Sequence, residues 1–131
     1  MRRAPVPGLR LIMTTVLIID DYPVFRRQLR RLLALAGLEV VGEAGGVDEA
    51  EALMQTLRPD LAIIDVMLTD ASGLEGARRL KGLFPHLRVI IVSAYANHAD
   101  LFRKKAREAG AEGYFSKADL DIAVVRAWGD R

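Results

Sequence analysis

Acidic side chains follow two apolar runs of the sequence. Asp20 and Asp21 come directly after residues 16–19, and Asp65 comes directly after residues 61–64. Uninterrupted apolar runs of this length are typical of strands that are covered on both faces in a parallel sheet. Because ligands bind beyond the carboxyl ends of such strands, carboxylates placed there are suited to chemistry rather than to packing. A buried carboxylate is costly unless it is paired or bound to a cation, so we expect partners nearby.

Polar side chains also follow two later predicted strands. Ser93 follows residues 89–92, and Lys117 follows residues 113–116. A parallel sheet would bring the carboxylates, the hydroxyl and the ammonium group to one edge. Clustered carboxylates suit a hard divalent cation such as Mg²⁺, and a lysine with a hydroxyl can stabilise the charge of an incoming phosphoryl group. In that arrangement Asp65 is the natural nucleophile, and its product is an aspartyl phosphate.

Strand and helix patterns alternate five times along the chain. Pro23 suits the first turn of a helix that Gly37 terminates, and the second helix ends before Pro59 because the residue preceding a proline avoids the helical region. Such alternation predicts right-handed crossovers and a parallel sheet with helices on both faces. The predicted strands are residues 16–19, 38–44 (an edge strand), a strand in the stretch 61–67 that ends on Asp65, 89–92 and 113–116. The predicted helices are 23–36, 50–57, 74–83, 100–109 and a last helix that Asp119 caps and that carries Leu120, Ala123, Val124 and Ala127.

The composition indicates one domain. A chain of 131 residues, 51% of them hydrophobic, can bury one core but not two. The absence of cysteine excludes disulfides, thiolate metal sites and a cysteine nucleophile. The net charge of +2 comes from basic residues spread along the chain, so we expect no nucleic-acid-binding block. Four arginines of the first predicted helix are interpreted as a solvated face, namely Arg26, Arg27, Arg30 and Arg31.

The N-terminal residues 1–14 are predicted to be a flexible extension. Arg2 and Arg3 precede apolar residues as in a signal peptide, but Arg10 interrupts the apolar region and no small-residue cleavage site follows. No apolar run approaches the length of a membrane span. We therefore expect a cytoplasmic protein, and Met13 is a candidate for the natural start.

The residues at the strand ends, in this order, resemble the receiver domain of two-component response regulators. The resemblance covers residues 15–128, which leaves 129–131 as a C-terminal tail. It implies the flavodoxin-like (βα)5 fold, an α/β fold with a five-stranded parallel sheet of order 2-1-3-4-5. It also implies that Asp65 is the phosphoacceptor, that Ser93 is the switch hydroxyl and that Lys117 assists phosphoryl transfer.

The same resemblance implies a magnesium site. Mg²⁺ would be bound directly by Asp21, by Asp65 and by the backbone carbonyl of Met67, and through water by Asp20. The expected phosphoryl donor is a sensor histidine kinase or a histidine phosphotransfer protein.

The resemblance further implies a switch in partner binding. Ser93 would move towards the phosphoryl group and leave room for Tyr114, which matches the aromatic position that turns inward on activation in this family. The surface of the fourth helix, fifth strand and fifth helix would then change and bind a downstream effector or a second copy of the chain. Candidate residues there are Leu101, Phe102 and Arg103. No direct contact with nucleic acid or membrane, and no turnover of an external substrate, is expected.

Three further stretches are most similar to receivers that precede a LuxR-type helix-turn-helix domain. They are Asp-Tyr-Pro-Val-Phe-Arg at residues 21–26, Val-Val-Gly-Glu-Ala at 40–44 and Gly-Leu-Glu at 73–75. No such output domain is present in these residues. Two interpretations therefore stay open: a stand-alone receiver, or the receiver part of a truncated DNA-binding transcriptional regulator.

Some positions depart from the family pattern. Thr69 and Ala118 stand where many receivers have proline. The change at Ala118 argues against a cis peptide bond there, because a non-proline cis bond costs about 3 kcal/mol. Met67 and Tyr95 lie two residues beyond the phosphoacceptor and the switch hydroxyl, at positions that in this family affect access of the hydrolytic water. We therefore predict slow dephosphorylation, over minutes or longer.

Three other classes of protein make different predictions for these residues. A metal-dependent phosphohydrolase on a similar sheet would have a second aspartate two residues after the nucleophile, where this chain has Met67. A phosphorylation-independent interaction module with a retained acidic pocket stays open, and it predicts normal signalling by an Asp65→Ala variant. A nucleotide-binding domain is disfavoured, since no glycine-rich phosphate loop follows a strand.

Overall fold

The computed structural model describes residues 13–95 and 97–129. Most of the extension predicted for residues 1–14, and most of the tail predicted for 129–131, therefore lie outside the described residues. Within the described residues, the elements are β1 (Thr15–Ile19), α1 (Pro23–Leu35), β2 (Glu39–Ala44), α2 (Val47–Leu57), β3 (Leu61–Asp65), α3 (Gly73–Leu83), β4 (Arg88–Ser93), α4 (Ala99–Glu108), β5 (Gly113–Ser116), a short 3₁₀ helix (Lys117–Asp119) and α5 (Ile122–Trp128).

The strands form one parallel sheet in the order β2-β1-β3-β4-β5, as predicted. The register places Ile19 opposite Ile64, so the residues that follow β1 lie beside the end of β3. Farther along the sheet, Ser93 at the end of β4 is opposite Ser116 at the end of β5. The carboxyl ends of the four strands β1, β3, β4 and β5 therefore meet at one edge. β2 is an edge strand, which confirms the interpretation of its alternating sequence.

Both faces of the sheet are buried, because successive strand residues point to opposite sides. Leu17 and Ile19 pack against α2 and α3, whereas Val16 and Ile18 pack against α1 and α5. Full burial of each such aliphatic side chain contributes about 1.5–3 kcal/mol, so the sheet faces supply most of the hydrophobic stabilisation. The described residues contain no helix that is long and apolar enough to cross a bilayer.

The last helix begins two residues later than the sequence predicted. Asp119 belongs to the 3₁₀ helix, and Asp121 caps α5 by accepting a hydrogen bond of 2.8 Å from the Val124 N–H. The prediction that Asp119 caps this helix is therefore wrong. Residues 117–119 form the 3₁₀ helix and are therefore not available to begin α5 directly after the strand.

The later start also changes the buried side of α5. Val125 and Trp128 are buried in α5, whereas Ala123 and Ala127 are exposed, contrary to the predicted stripe. Trp128 packs on Phe115 of β5, with ring centroids 5.4 Å apart. The end of α5 is thus held against the sheet by aromatic packing.

The third strand ends at Asp65, as predicted. Beyond it, Met67 pairs in antiparallel fashion with Ser72, and the Gly73 N–H donates to the Val66 carbonyl at 2.7 Å. The chain therefore reverses directly after Asp65, and the first residue of α3 returns to the strand. A Cβ atom on Gly73 would lie 2.1 Å from the carbonyl oxygen of Asp65, so this return requires glycine.

A pair of alanine substitutions in α3 tests this close approach. We expect Gly73→Ala to lower the free energy of unfolding by about 1–3 kcal/mol, because the methyl group overlaps backbone atoms. In the matched control, Gly82→Ala, the new Cβ meets no atom within 4 Å. Gly82→Ala should therefore raise the free energy of unfolding by up to about 1 kcal/mol. Urea denaturation measures both values, and equal effects of the two substitutions would contradict the packing described.

Candidate functional site

The predicted site residues lie together at the carboxyl edge of the sheet. Asp20 and Asp21 follow β1, Asp65 ends β3, Ser93 ends β4 and Lys117 follows β5. Among the described residues, the buried polar or charged side chains are those of Asp20, Asp65 and Ser93, at 1%, 8% and 0% exposure. Burial of two carboxylates in one place is unfavourable unless positive charge compensates them.

Lys117 supplies that positive charge. Its Nζ lies 2.7 Å from Oδ2 of Asp20 and 3.5 Å from Oδ2 of Asp65. The contact with Asp20 is an ion pair without hydrogen-bond geometry, and among the described residues Asp20 Oδ2 has no hydrogen-bond donor. The ammonium group also lies 4.0 Å from the ring centroid of Phe25. The lysine is thus held between α1 and the carboxylates.

The three carboxylates form a group that can hold a cation. Asp20, Asp21 and Asp65 each offer an oxygen, and these oxygens lie within 4.8 Å of one another. Asp21 is exposed, so the group is open to solvent on one side. Carboxylate oxygens without a full set of hydrogen bonds are the ligands that hard divalent cations prefer. The chemistry of this donor set therefore fits a divalent metal ion.

The protonation of Asp65 reflects its surroundings. Burial raises the pKa of its carboxyl group above the ordinary value, and the nearby charge of Asp20 raises it further. Lys117 and the Met67 N–H, which donates to Asp65 Oδ1 at 3.3 Å, act in the opposite direction. Without a cation, the negative charge of Asp65 is therefore only partly compensated.

The hydroxyl and aromatic residues flank this acidic group. Ser93 Oγ accepts a hydrogen bond from the Tyr95 N–H at 3.0 Å and donates one to the Tyr95 carbonyl at 3.3 Å. Tyr114 is buried and stacks on Phe102 of α4, with centroids 5.9 Å apart. No hydrogen-bond partner for its hydroxyl lies in the described part of the chain. The side chains of Met67 and Tyr95 are exposed at the rim of the site.

Sequence reasoning missed the role of Arg26, which was interpreted as one of four solvated arginines. Arg27 and Arg31 are indeed exposed. Arg26 instead donates from Nη1 to the Asp20 carbonyl at 2.5 Å and from Nε to Glu43 at 3.1 Å. The alternation of side chains along the strands could have indicated this contact. Glu43 is opposite Ile18 in the register and Ile18 packs towards α1, so Glu43 lies on the same face of the sheet as α1.

Asp70 was also missed. Its Oδ2 accepts hydrogen bonds from the N–H groups of Val47 at 2.9 Å and Asp48 at 3.2 Å. The loop that follows Asp65 is thereby fastened to the first turn of α2, where the helix dipole favours an anion. A Cβ atom on Gly46 would lie 2.7 Å from this carboxylate, so the contact is close. No local sequence pattern around Asp70 predicts this contact, because its partners are more than twenty residues away.

Comparison with known proteins gives one family. The family model described as "Response regulator receiver domain" matches residues 16–125. The DNA-binding transcriptional activator DevR/DosR of Mycobacterium tuberculosis (strain ATCC 25618 / H37Rv) is 41% identical over 116 residues, which are 88% of this chain and 52% of that protein. The chain thus spans about half the length of this relative.

Two solved structures are similar in both sequence and fold. A LuxR-family two-component response regulator from Aurantimonas sp. SI85-9A1 has a TM-score of 0.80 at 32% identity, covering 89% of this chain and 83% of that chain. A response regulator from Burkholderia pseudomallei, solved with a phosphorylated aspartic acid, a calcium ion and citrate, has a TM-score of 0.74 at 30% identity, covering 87% of this chain and 65% of that chain.

The contact between Asp70 and α2 makes a pH-dependent prediction. Hydrogen bonds from Val47 and Asp48, with the charge of Arg79, hold the pKa of Asp70 below its ordinary value of 3.8. A carboxyl group whose pKa is lower in the folded chain stabilises the fold above that ordinary value, and the stabilisation is lost as the pH falls through the lowered pKa. Because Asp70 is largely exposed, we expect Asp70→Asn to cost only about 0.5–1 kcal/mol at neutral pH.

Urea denaturation of wild type and Asp70→Asn, from neutral pH down to about pH 3, measures this difference. It should shrink towards zero at the acidic end. Asp119→Asn changes an exposed aspartate of the 3₁₀ helix and serves as the control. A difference for Asp70→Asn that stayed constant across this range would show that the charge of Asp70 plays no part.

Proposed function

Because this chain belongs to the response regulator receiver domain family, we propose that Asp65 accepts a phosphoryl group from a phosphohistidine of a sensor histidine kinase or a histidine phosphotransfer protein. The observation that carries the proposal is the position of Lys117, whose ammonium lies between the buried carboxylates of Asp20 and Asp65. Once a divalent cation compensates the carboxylates, this ammonium can stabilise the negative charge of an incoming phosphoryl group.

Each side chain has a role in the proposed transfer. A carboxylate oxygen of Asp65 attacks phosphorus, and the bond between phosphorus and the donor imidazole nitrogen breaks. Lys117 stabilises the negative charge of the transferred group, and the Ser93 hydroxyl turns from Tyr95 to donate to it. Asp21, Asp65 and the Met67 carbonyl would hold Mg²⁺ directly, and Asp20 would hold it through water. When bound, Mg²⁺ supplies positive charge for the phosphoryl oxygens.

We further propose that phosphorylation changes the surface formed by α4, β5 and α5. Movement of Ser93 towards the phosphoryl group would alter the space next to Tyr114, whose ring already contacts Phe102 of α4. Leu101 and Arg103 of α4 are exposed and available to a partner, either a downstream effector or a second copy of the chain. This surface then links the chemistry of Asp65 to binding.

The proposed domain comprises residues 15–128, acts in the cytoplasm and turns over no external substrate. Its DNA-binding relative is about twice as long, and the Burkholderia relative was solved with a phosphorylated aspartic acid and a calcium ion. The Burkholderia relative supports a receiver that acts through a phosphoaspartate and a divalent cation. In a longer protein this receiver would control a DNA-binding output domain, and by itself it would act through partner proteins.

Intact-protein mass spectrometry tests the phosphoacceptor. Wild type incubated with Mg²⁺ and acetyl phosphate should gain a single phosphoryl group that is lost on hydrolysis, because one carboxylate is the nucleophile. Asp65→Asn should gain none. Asp119→Asn is the matched control, since it neutralises an exposed acidic residue outside the cluster, and it should be phosphorylated. Chelation of Mg²⁺ should abolish the adduct.

The other outcomes separate the alternatives. No adduct on folded wild type, with acetyl phosphate or phosphoramidate, would favour an interaction module that works without phosphorylation. Multiple turnover of an added phosphoester would favour a hydrolase. An adduct that persists in Asp65→Asn would assign the nucleophile to another residue.

The exposed rim predicts the lifetime of the phosphorylated protein. Met67 and Tyr95 border the site with large side chains, so the hydrolytic water is expected to approach Asp65 poorly and the adduct to last for minutes or longer. Met67→Ala and Tyr95→Ala should shorten this lifetime, whereas Leu35→Ala, an exposed apolar residue of α1, should not. Loss of the adduct is followed by mass after the phosphoryl donor is removed. Loss within seconds in wild type would contradict the prediction.

A further inference from the structure

We propose that Arg26 is a positioning residue that fixes the backbone from which Asp20 and Asp21 project. The inference rests on the proposed role of these aspartates in metal binding and goes beyond it, since Arg26 lies outside the carboxylate group. It also assigns a role to Asp-Tyr-Pro-Val-Phe-Arg and Val-Val-Gly-Glu-Ala, the two stretches of sequence that contain Arg26 and Glu43.

The side chain of Arg26 joins the site to the neighbouring strand. Nη1 donates to the carbonyl oxygen of Asp20 at 2.5 Å, and Nε donates to Oε1 of Glu43 at 3.1 Å. Only 22% of the Arg26 side chain and 26% of the Glu43 side chain are exposed. A guanidinium group is planar and rigid, so Glu43 determines the direction in which Nη1 points. The carbonyl of Asp20 is therefore held by a donor that is itself oriented.

The rest of the Asp20 backbone is held from β2 as well. The Asp20 N–H donates to the Ala44 carbonyl at 2.9 Å, and the Asp20 carboxylate accepts from the Tyr22 N–H at 2.8 Å. Both the N–H and the carbonyl of Asp20 thus depend on residues 43 and 44 at the end of β2. Because Asp21 is exposed, its position follows from this backbone and not from packing of its own side chain.

Arg30 provides a matched comparison on the same helix. Its Nε donates to Oε2 of the same Glu43 at 2.6 Å, but its side chain is 47% exposed and its described hydrogen bond goes to Glu43 alone. Loss of either arginine removes one positive charge near Glu43. Of the two arginines, only Arg26 donates to the Asp20 carbonyl, so only its loss removes that hydrogen bond.

Electrostatics and positioning predict opposite effects on the cation. A positive charge close to the carboxylates opposes Mg²⁺ binding, so its removal alone would make binding tighter. Removal of a residue that orients the metal ligands weakens binding, by about tenfold in other metal sites. The direction of the change therefore identifies the role of Arg26.

The experiment compares Arg26→Met, Arg26→Lys and Arg30→Met, each checked for folding by circular dichroism. Isothermal titration with Mg²⁺ should give a dissociation constant about tenfold higher for Arg26→Met. Arg30→Met should bind as wild type or slightly tighter. Arg26→Lys should lie between wild type and Arg26→Met, because one ammonium cannot reproduce the rigid fork. Arg26→Lys also preserves the comparison if Arg26→Met does not fold.

A second measurement, hydrogen exchange of the Tyr22 amide without Mg²⁺, does not depend on the metal. Exchange should be faster in Arg26→Met than in wild type and unchanged in Arg30→Met, because this amide donates to the Asp20 carboxylate and, of the two arginines, Arg26 is the one bonded to the Asp20 backbone. Faster exchange in a protein that binds no Mg²⁺ would support positioning while overturning the proposed metal site. Unchanged exchange, or Mg²⁺ binding equal to or tighter than that of wild type in Arg26→Met, would overturn the role of Arg26.

Discussion

The repulsion among carboxylates at one edge of the sheet is the constraint on which the site depends. Asp20 and Asp65 are buried within reach of each other, and Lys117 is the cation that contacts both. Burial and the charge of Asp20 both raise the pKa of Asp65, so one ammonium does not balance the group fully. The pocket is thereby suited to additional positive charge, which a bound divalent cation would supply.

The carboxylates stay close together because the backbone around them is held by residues outside the carboxylate group. On one side, Arg26 and Glu43 hold the carbonyl of Asp20 to α1 and β2. On the other side, Asp70 holds the loop after Asp65 to the first turn of α2. Between them, Gly73 lets α3 return directly to the carbonyl of Asp65. Mutual repulsion would otherwise drive the acidic loops apart, and these contacts oppose it from neighbouring elements.

The helices differ in how firmly they are packed, and the difference agrees with the proposed switch. In α1 three residues are buried, whereas in α4 only Ala106 is buried, and Phe102 of α4 contacts the core through the ring of Tyr114. A helix with few buried side chains can shift at lower cost than one held by several. Within the surface proposed to change on phosphorylation, α4 is therefore the lightly packed element.

The sequence by itself determined the fold class and which side chains meet at the carboxyl edge of the sheet. The prediction that Asp20, Asp65, Ser93 and Lys117 meet requires only the recognition of four strands and the rule that parallel strands end at one edge. Both are local or topological properties. The strand order followed from the family resemblance, and the structure agrees with it.

Only the tertiary structure decided which other residues serve the site. Arg26 looked like its solvated neighbours because its partners come from β2 and the end of β1, and Asp70 finds its partners in α2. The cap of α5 moved from Asp119 to Asp121 because Lys117 begins a tight turn. Each of these contacts either joins segments that are distant in sequence or depends on the direction of a side chain. The spacing of apolar residues along the chain predicts neither property.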